Sequence, residues 1–206
     1  MDFTLLKITA LLSLIPASVL TFRRTPQKDM VFWSAVAVAL FGTIVWVYIR
    51  QSAGWHTGLS TALWLTVASC LIVYVVIALF TDDGWRLTAI LFPYLLILGI
   101  LAVVWSQVPE QPFVGNAPLA WIGTHIAVSV ATYAMITLAA VAALAATLQE
   151  RAIKSKKRTR VSQLLPSVAG SEGLLVRLLI ASEVVLAIGL ITGMATLYMT
   201  TGQFLI

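Results

Sequence analysis

Few side chains in this chain of 206 residues have both the type and the setting for chemistry. Three ionisable ones, His56, His125 and Glu183, lie within or at the mouth of long apolar stretches. A charge in such a place is costly, so each is a site hypothesis. His125 falls near the start of the fifth stretch, about 6 Å below its end at the rise of a helix. On a helical wheel Trp121, His125, Ser129, Thr132 and Tyr133 lie within roughly 120° of one another. They form a polar and aromatic stripe on a segment otherwise built of Ala, Val and Leu. Such a stripe must face other helices or a cavity. A neutral imidazole there suits an axial ligand for haem iron or a proton carrier. The structural alternative is a histidine satisfied by an interhelical hydrogen bond.

His56 stands in Gly54-Trp55-His56-Thr57-Gly58, at the mouth of the third stretch. If the helix begins that early, His56, Ser60 and Trp64 share a face. Two imidazoles at one depth would then flank one haem; otherwise His56 is a solvated loop residue. Glu183 lies near the middle of the sixth stretch, about 22 Å below its far end and roughly 16 Å deeper than His125. That is too far for a direct ion pair. Its candidate partners are Arg177 and polar groups on other helices, leaving it either a protonated, hydrogen-bonded carboxyl or a proton relay. Cys70 is the one cysteine, so no intrachain disulfide, redox pair or covalent haem-attachment motif exists. Nothing resembles a phosphate-cradling glycine loop, a zinc cluster or a nucleophile triad. The chain therefore does not read as an enzyme.

The elements that must position these groups follow from composition. Apolar residues make up 60%, charged residues 10%, and mean hydropathy is +0.99. Those values exclude a soluble globule, a disordered chain, a disulfide scaffold and a nucleic-acid-binding module. Six stretches near spanning length run about 3–22, 30–49, 59–80, 87–105, 119–148 and 174–199. None alternates as a barrel strand does, and lipid leaves the backbone only helix to satisfy itself. The expected fold is an all-α polytopic membrane protein of about six transmembrane helices, forming a single domain over 1–206. The first stretch lacks a basic leader and a small-residue cleavage site, so it reads as a retained span.

Of the thirteen Lys and Arg residues, ten lie in the first, third and fifth connections. The positive-inside rule places those connections in the cytoplasm and both termini outside, N-out/C-out, in a bacterial inner membrane. The net charge of +5 then records orientation rather than a nucleic-acid partner. The basic connection 149–173 marks topology or attracts anionic lipid. Most tryptophans fall near span ends, as an interfacial belt does. Pro16 and Pro93 predict kinks. Gly189 and Gly193 form a close-packing Gly-x-x-x-Gly face, for which Ala139, Ala142, Ala143 and Ala146 offer a partner.

The stretch Trp121-Ile-Gly-Thr-His125-Ile-Ala-Val-Ser129-Val-Ala-Thr-Tyr133-Ala resembles the start of the core helix in the cytochrome c assembly family. That family includes CcsA, CcmC and HemX/YpjD-like inner-membrane proteins. The resemblance continues through a basic connection to Leu164-Leu165-Pro166, Ser171-Glu172-Gly173-Leu174-Leu175 and Ile188-Gly189-Leu190-Ile191-Thr192-Gly193. It covers about 118–199, and the earlier spans are similar only in general character. It implies haem binding or assistance in haem delivery for cytochrome c biogenesis, with cytochrome c maturation proteins as partners. His125 matches the family histidine implicated as an axial ligand, and Trp121 and Tyr133 share its stripe. His56 matches no family histidine. The tryptophan-rich WWD segment is absent, and members usually continue into further spans with another outer histidine, so the chain reads as C-terminally short. Two other classes stay open: a small proton-coupled transporter subunit using Glu183, and a non-catalytic membrane assembly factor.

Overall fold

A computed structural model describes residues 3–20, 27–52, 56–112, 119–156 and 159–202. Helix dominates. The first apolar stretch forms α1 (Phe3–Ser13) and α2 (Ile15–Leu20), with the break at Leu14. Pro16 lacks the N–H that would bond one turn back, which accounts for a break at that point. The second and third stretches form α3 (Met30–Ser52) and α4 (Leu59–Phe80), and a 3-10 turn (Gly84–Leu87) leads into α5 (Thr88–Trp105). Helix α5 runs through Pro93 without interruption. The remaining helices are α6 (Leu119–Lys154), the short α7 (Arg160–Leu164) and α8 (Val168–Thr201). Five of these segments are long and apolar enough to cross a membrane, and the shorter apolar Thr4–Leu20 accompanies them. The chain is thus an all-helical protein with about six spans.

Side-chain anchors sort the connections into two ends. At one end Lys28 Nζ donates to the Ala78 carbonyl (2.7 Å), a cation on the closing turn of α4. At that end, too, Arg86 Nη1 donates to the Leu165 carbonyl (3.4 Å), and Asp29 caps α3 by accepting from Phe32 N (2.8 Å). At the other end Lys7 Nζ donates to Ser106 Oγ (2.8 Å), and Arg50 pairs with Glu110. A two-residue antiparallel pair also lies there, β1 (His56–Thr57) against β2 (Gln111–Pro112). The connections rich in Lys and Arg share the first end, called the basic end below; the second is the far end.

The main core lies toward the basic end. Leu71 and Tyr74 of α4, Leu91 and Leu95 of α5, and Leu138 and Ala142 of α6 are fully buried there in one cluster. Toward the far end a smaller cluster joins Ala10, Trp46, Trp64 and Ala102 of α1, α3, α4 and α5. Trp46 and Trp64 meet edge to face at 6.3 Å, so these two tryptophans build core rather than belt. Ser60 Oγ adds a bond to the Ala102 carbonyl (2.8 Å), tying α4 to α5.

Helices α6 and α8 are the two longest and pack against each other antiparallel. Both exceed the expected spans at the basic end. Helix α6 continues to Lys154, where Glu150 and Lys154 pair one turn apart (3.4 Å). Helix α8 begins at Val168 because Ser167 accepts from Gly170 N and so caps it. The expected loop 149–173 is therefore shortened to the stretch around α7. Its Leu165-Pro166 step is fixed by Gln149, whose Nε2 donates to the carbonyls of Ser162, Leu165 and Pro166. Along the rest of its length α8 exposes large apolar side chains such as Ile180, Val184, Leu190 and Ile191.

Candidate functional site

His125 lies one turn below Trp121 on α6, and its ring rests on α8. Its Nδ1 stands 3.2 Å from the Gly189 carbonyl and 3.5 Å from Thr192 Oγ1. Thr192 Oγ1 in turn donates to the same carbonyl (3.0 Å). A carbonyl only accepts, so Nδ1 carries the proton in this bond. The neutral ring then has its lone pair on Nε2, the arrangement that orients an imidazole for metal ligation. Nε2 has no hydrogen-bond partner among the described residues, and it is not among the buried unpaired atoms. His125 as a whole is half-buried.

Glycine makes this close approach possible. A Cβ on Gly193 would sit 2.9 Å from His125 Cε1, and one on Gly189 would sit 3.2 Å from Val128 Cγ1. The Gly-x-x-x-Gly face thus receives His125 and Val128, not the alanine face expected from sequence. The antiparallel register explains the difference. Moving along α6 toward the basic end moves back along α8, so Ala139 and Ala142 share a cluster with Leu174 and Leu178 instead.

The rest of the stripe divides. Ser129 Oγ and Thr132 Oγ1 donate to carbonyls one turn back on α6, those of His125 (2.8 Å) and Val128 (3.0 Å). Both hydroxyls are satisfied locally. Thr132 is buried, whereas Trp121 is 37% and Tyr133 64% exposed. Among the described residues neither aromatic ring shares a hydrogen bond or ring contact with His125.

His56 is not on the first turn of α4. That helix starts at Leu59, and His56 lies in β1, extended and paired with Pro112. The shared face with Ser60 and Trp64 is therefore lost, and the His56 side chain lies outside the described residues. Glu183 is six residues from Gly189, about 9 Å along α8 toward the basic end. It is exposed on the flank of that helix, with no ion pair or hydrogen bond among the described residues. No group of three or more His, Cys, Asp or Glu gathers there either.

One cluster at the far end escaped the sequence reading. Glu110, its side chain 9% exposed, accepts from Arg50 Nη2 (2.7 Å), Thr61 N (3.0 Å) and Thr61 Oγ1 (2.8 Å). Burial pushes its carboxyl up, but the bonds from Thr61 and the Arg50 charge outweigh that and hold it below the usual range. Gly58 lets Glu110 in, since a Cβ there would stand 2.5 Å from Glu110 Cγ. A signal existed: Arg50 and Glu110 are the lone charges of the two connections at that end, and their signs are opposite.

Comparisons with known proteins bear on the same stretch of chain. A protein from Azospirillum brasilense, described as an uncharacterized 28.8 kDa protein in a nifR3-like 5' region, is 46% identical over 203 residues. The match covers 96% of this chain and 75% of that protein. No solved structure matches. The family model described as cytochrome C assembly protein matches residues 55–205, which takes in the histidine, the Leu-Pro step and the glycine face that receives the imidazole. A match of that extent settles the family: the chain belongs to the cytochrome c assembly proteins.

Proposed function

We propose that this protein binds haem in the membrane through Nε2 of His125 and assists haem delivery during cytochrome c biogenesis. The observation that carries the reading is the bond from Nδ1 to the Gly189 carbonyl, which leaves the lone pair on Nε2, with no hydrogen-bond partner among the described residues. A haem bound there supplies an iron centre for transfer to an acceptor protein. The chain's own residues do the holding. Gly189 fixes the ring and its tautomer, Gly193 admits it, and Thr192 buttresses the carbonyl that accepts its proton. Trp121, one turn from His125, and Tyr133, two turns on, add exposed aromatic surface on the same helix. His125 Nε2 is the protein ligand that this site would offer a haem.

The basic end is cytoplasmic in this reading, which puts His125 in the outer half of a bacterial inner membrane. The protein acts by binding and presentation, with cytochrome c maturation proteins as partners and no bond-making step of its own. A transporter built on Glu183 finds less support. A proton relay needs a run of polar partners, and Glu183 has none among the described residues. The test is complementation. In cells lacking this protein, wild type restores covalently haem-stained c-type cytochromes and His125→Ala does not. Full restoration by a well-expressed His125→Ala refutes the ligand role.

A further inference from the structure

Among the described residues, four of the five buried side-chain polar atoms that lack a hydrogen-bond partner belong to one place. They are Nε1 of Trp46, Nε1 of Trp64, and both Nε2 and Oε1 of Gln51. All three residues wall a single cavity at the far end, between α3 and α4. Trp46 is 5% and Trp64 2% exposed, and each lies about 8–9 Å inside the end of its helix. Neither indole therefore reaches the water at that end of the bundle. An indole N–H only donates, and burying it unpaired is costly. Two of them on one wall call for an acceptor.

The polar groups that share the wall are already engaged. Ser60 Oγ donates to the Ala102 carbonyl, and Thr61 Oγ1 and Arg50 Nη2 donate to Glu110. Size and charge then select the ligand. The cavity holds about 10 Å³, room for one water and for nothing larger. Glu110 matches the Arg50 charge, so an anion in the cavity would be buried uncompensated. A water oxygen accepts from two donors, and its own hydrogens suit Gln51 Oε1. The two rings meet edge to face with centroids 6.3 Å apart. One oxygen spans two nitrogens up to about 6 Å apart. We propose that this cavity binds a single water molecule, which accepts from Trp46 and Trp64 and donates to Gln51. The water locks α3 to α4 beside the Arg50–Glu110 pair, as a fixed part of the fold.

The test uses the full chain in lipid nanodiscs, labelled with ¹⁵N-tryptophan. A water held at the site gives the indole protons of Trp46 and Trp64 cross-peaks to water with the sign of a long-lived contact. Trp46→Phe and Trp64→Phe assign the two signals. Gln51→Leu removes the acceptor for the water's hydrogen, and one such bond is worth about fivefold in occupancy. Both cross-peaks should therefore weaken about fivefold in Gln51→Leu and persist in Gln51→Glu. Gln51 stands one residue from the end of α3, so its variants stay folded even if a tryptophan change disturbs the core. Indole protons without a cross-peak to water overturn the proposal. So do cross-peaks undiminished in Gln51→Leu. Indole signals that move with chloride, against gluconate at equal ionic strength, would show a bound anion and would overturn it as well.

Discussion

Gly193→Ala is the sharpest perturbation of the histidine site, because it adds one methyl group and removes no polar atom. The new Cβ would lie 2.9 Å from His125 Cε1 and 3.3 Å from Nδ1. Ordinary carbon contacts begin near 3.5 Å, so the ring must retreat by about 0.6 Å or the helices must part. The bond from Nδ1 to Gly189 is already 3.2 Å long, and a retreat of that size takes it out of hydrogen-bond range. Losing an orienting bond of this kind costs about 1 kcal/mol in the apoprotein and about 10- to 100-fold in affinity for a ligated metal. Overpacking adds about 1–3 kcal/mol if the helix pair cannot give. The assay is titration of the purified protein with haem, followed by the Soret band, beside a thermal melt of the apoprotein. The expected result is weaker haem binding by at least tenfold, with the apoprotein destabilised by about 1–4 kcal/mol. Wild-type affinity with an unchanged band in Gly193→Ala would refute the claim that the imidazole is held by this contact.

The remaining predictions concern other parts of the helix assembly. Glu110→Gln removes the charge from a carboxylate that Arg50 and Thr61 hold, and should lower stability by about 1–3 kcal/mol in a chemical melt. Since the Glu110 carboxyl is held low, its contribution is complete above the usual carboxylate range and is lost as pH falls through its depressed value. Stability of the wild type should therefore drop on acidification, and the Gln variant should show a flatter profile over the same window. Gly58→Ala should destabilise the same end by a similar amount, through the 2.5 Å clash with Glu110 Cγ. Glu183→Leu removes an exposed carboxyl whose insertion costs about 2.5–3.5 kcal/mol at mid-membrane when ionised. It should leave the haem spectrum unchanged and the melting temperature equal or higher; a lost spectrum would bring Glu183 into the site.

The spans were legible because bilayer chemistry writes them in long runs of a single character, and charge counting then separated the two ends of the bundle. His125 stands out in the sequence as an imidazole inside an apolar stretch. Its contact does not. A Gly-x-x-x-Gly spacing announces close approach but names no partner. The choice between the alanine face and the histidine depended on the register of α6 against α8, a tertiary quantity. Periodicity also could not place His56, where a two-residue pairing with Pro112 delays the start of α4 to Leu59. The Arg50–Glu110 pair spans sixty positions, and only the fold reveals that two otherwise uncharged connections meet. The extension of α6 beyond Leu148 was hidden by charge: Glu150, Arg151 and Lys154 end a span by composition while continuing a helix by propensity.

The ligand assignment for His125 is the claim on which the rest depends. The protein purified from haem-replete cells should show a Soret band, and resonance Raman spectra of the ferrous form should carry an iron–histidine stretch. In His125→Ala, folded to the same helical content, that stretch should vanish and the band should weaken or shift. A wild-type protein with no Soret band, or a His125→Ala protein with the same stretch and the same band, would contradict the account.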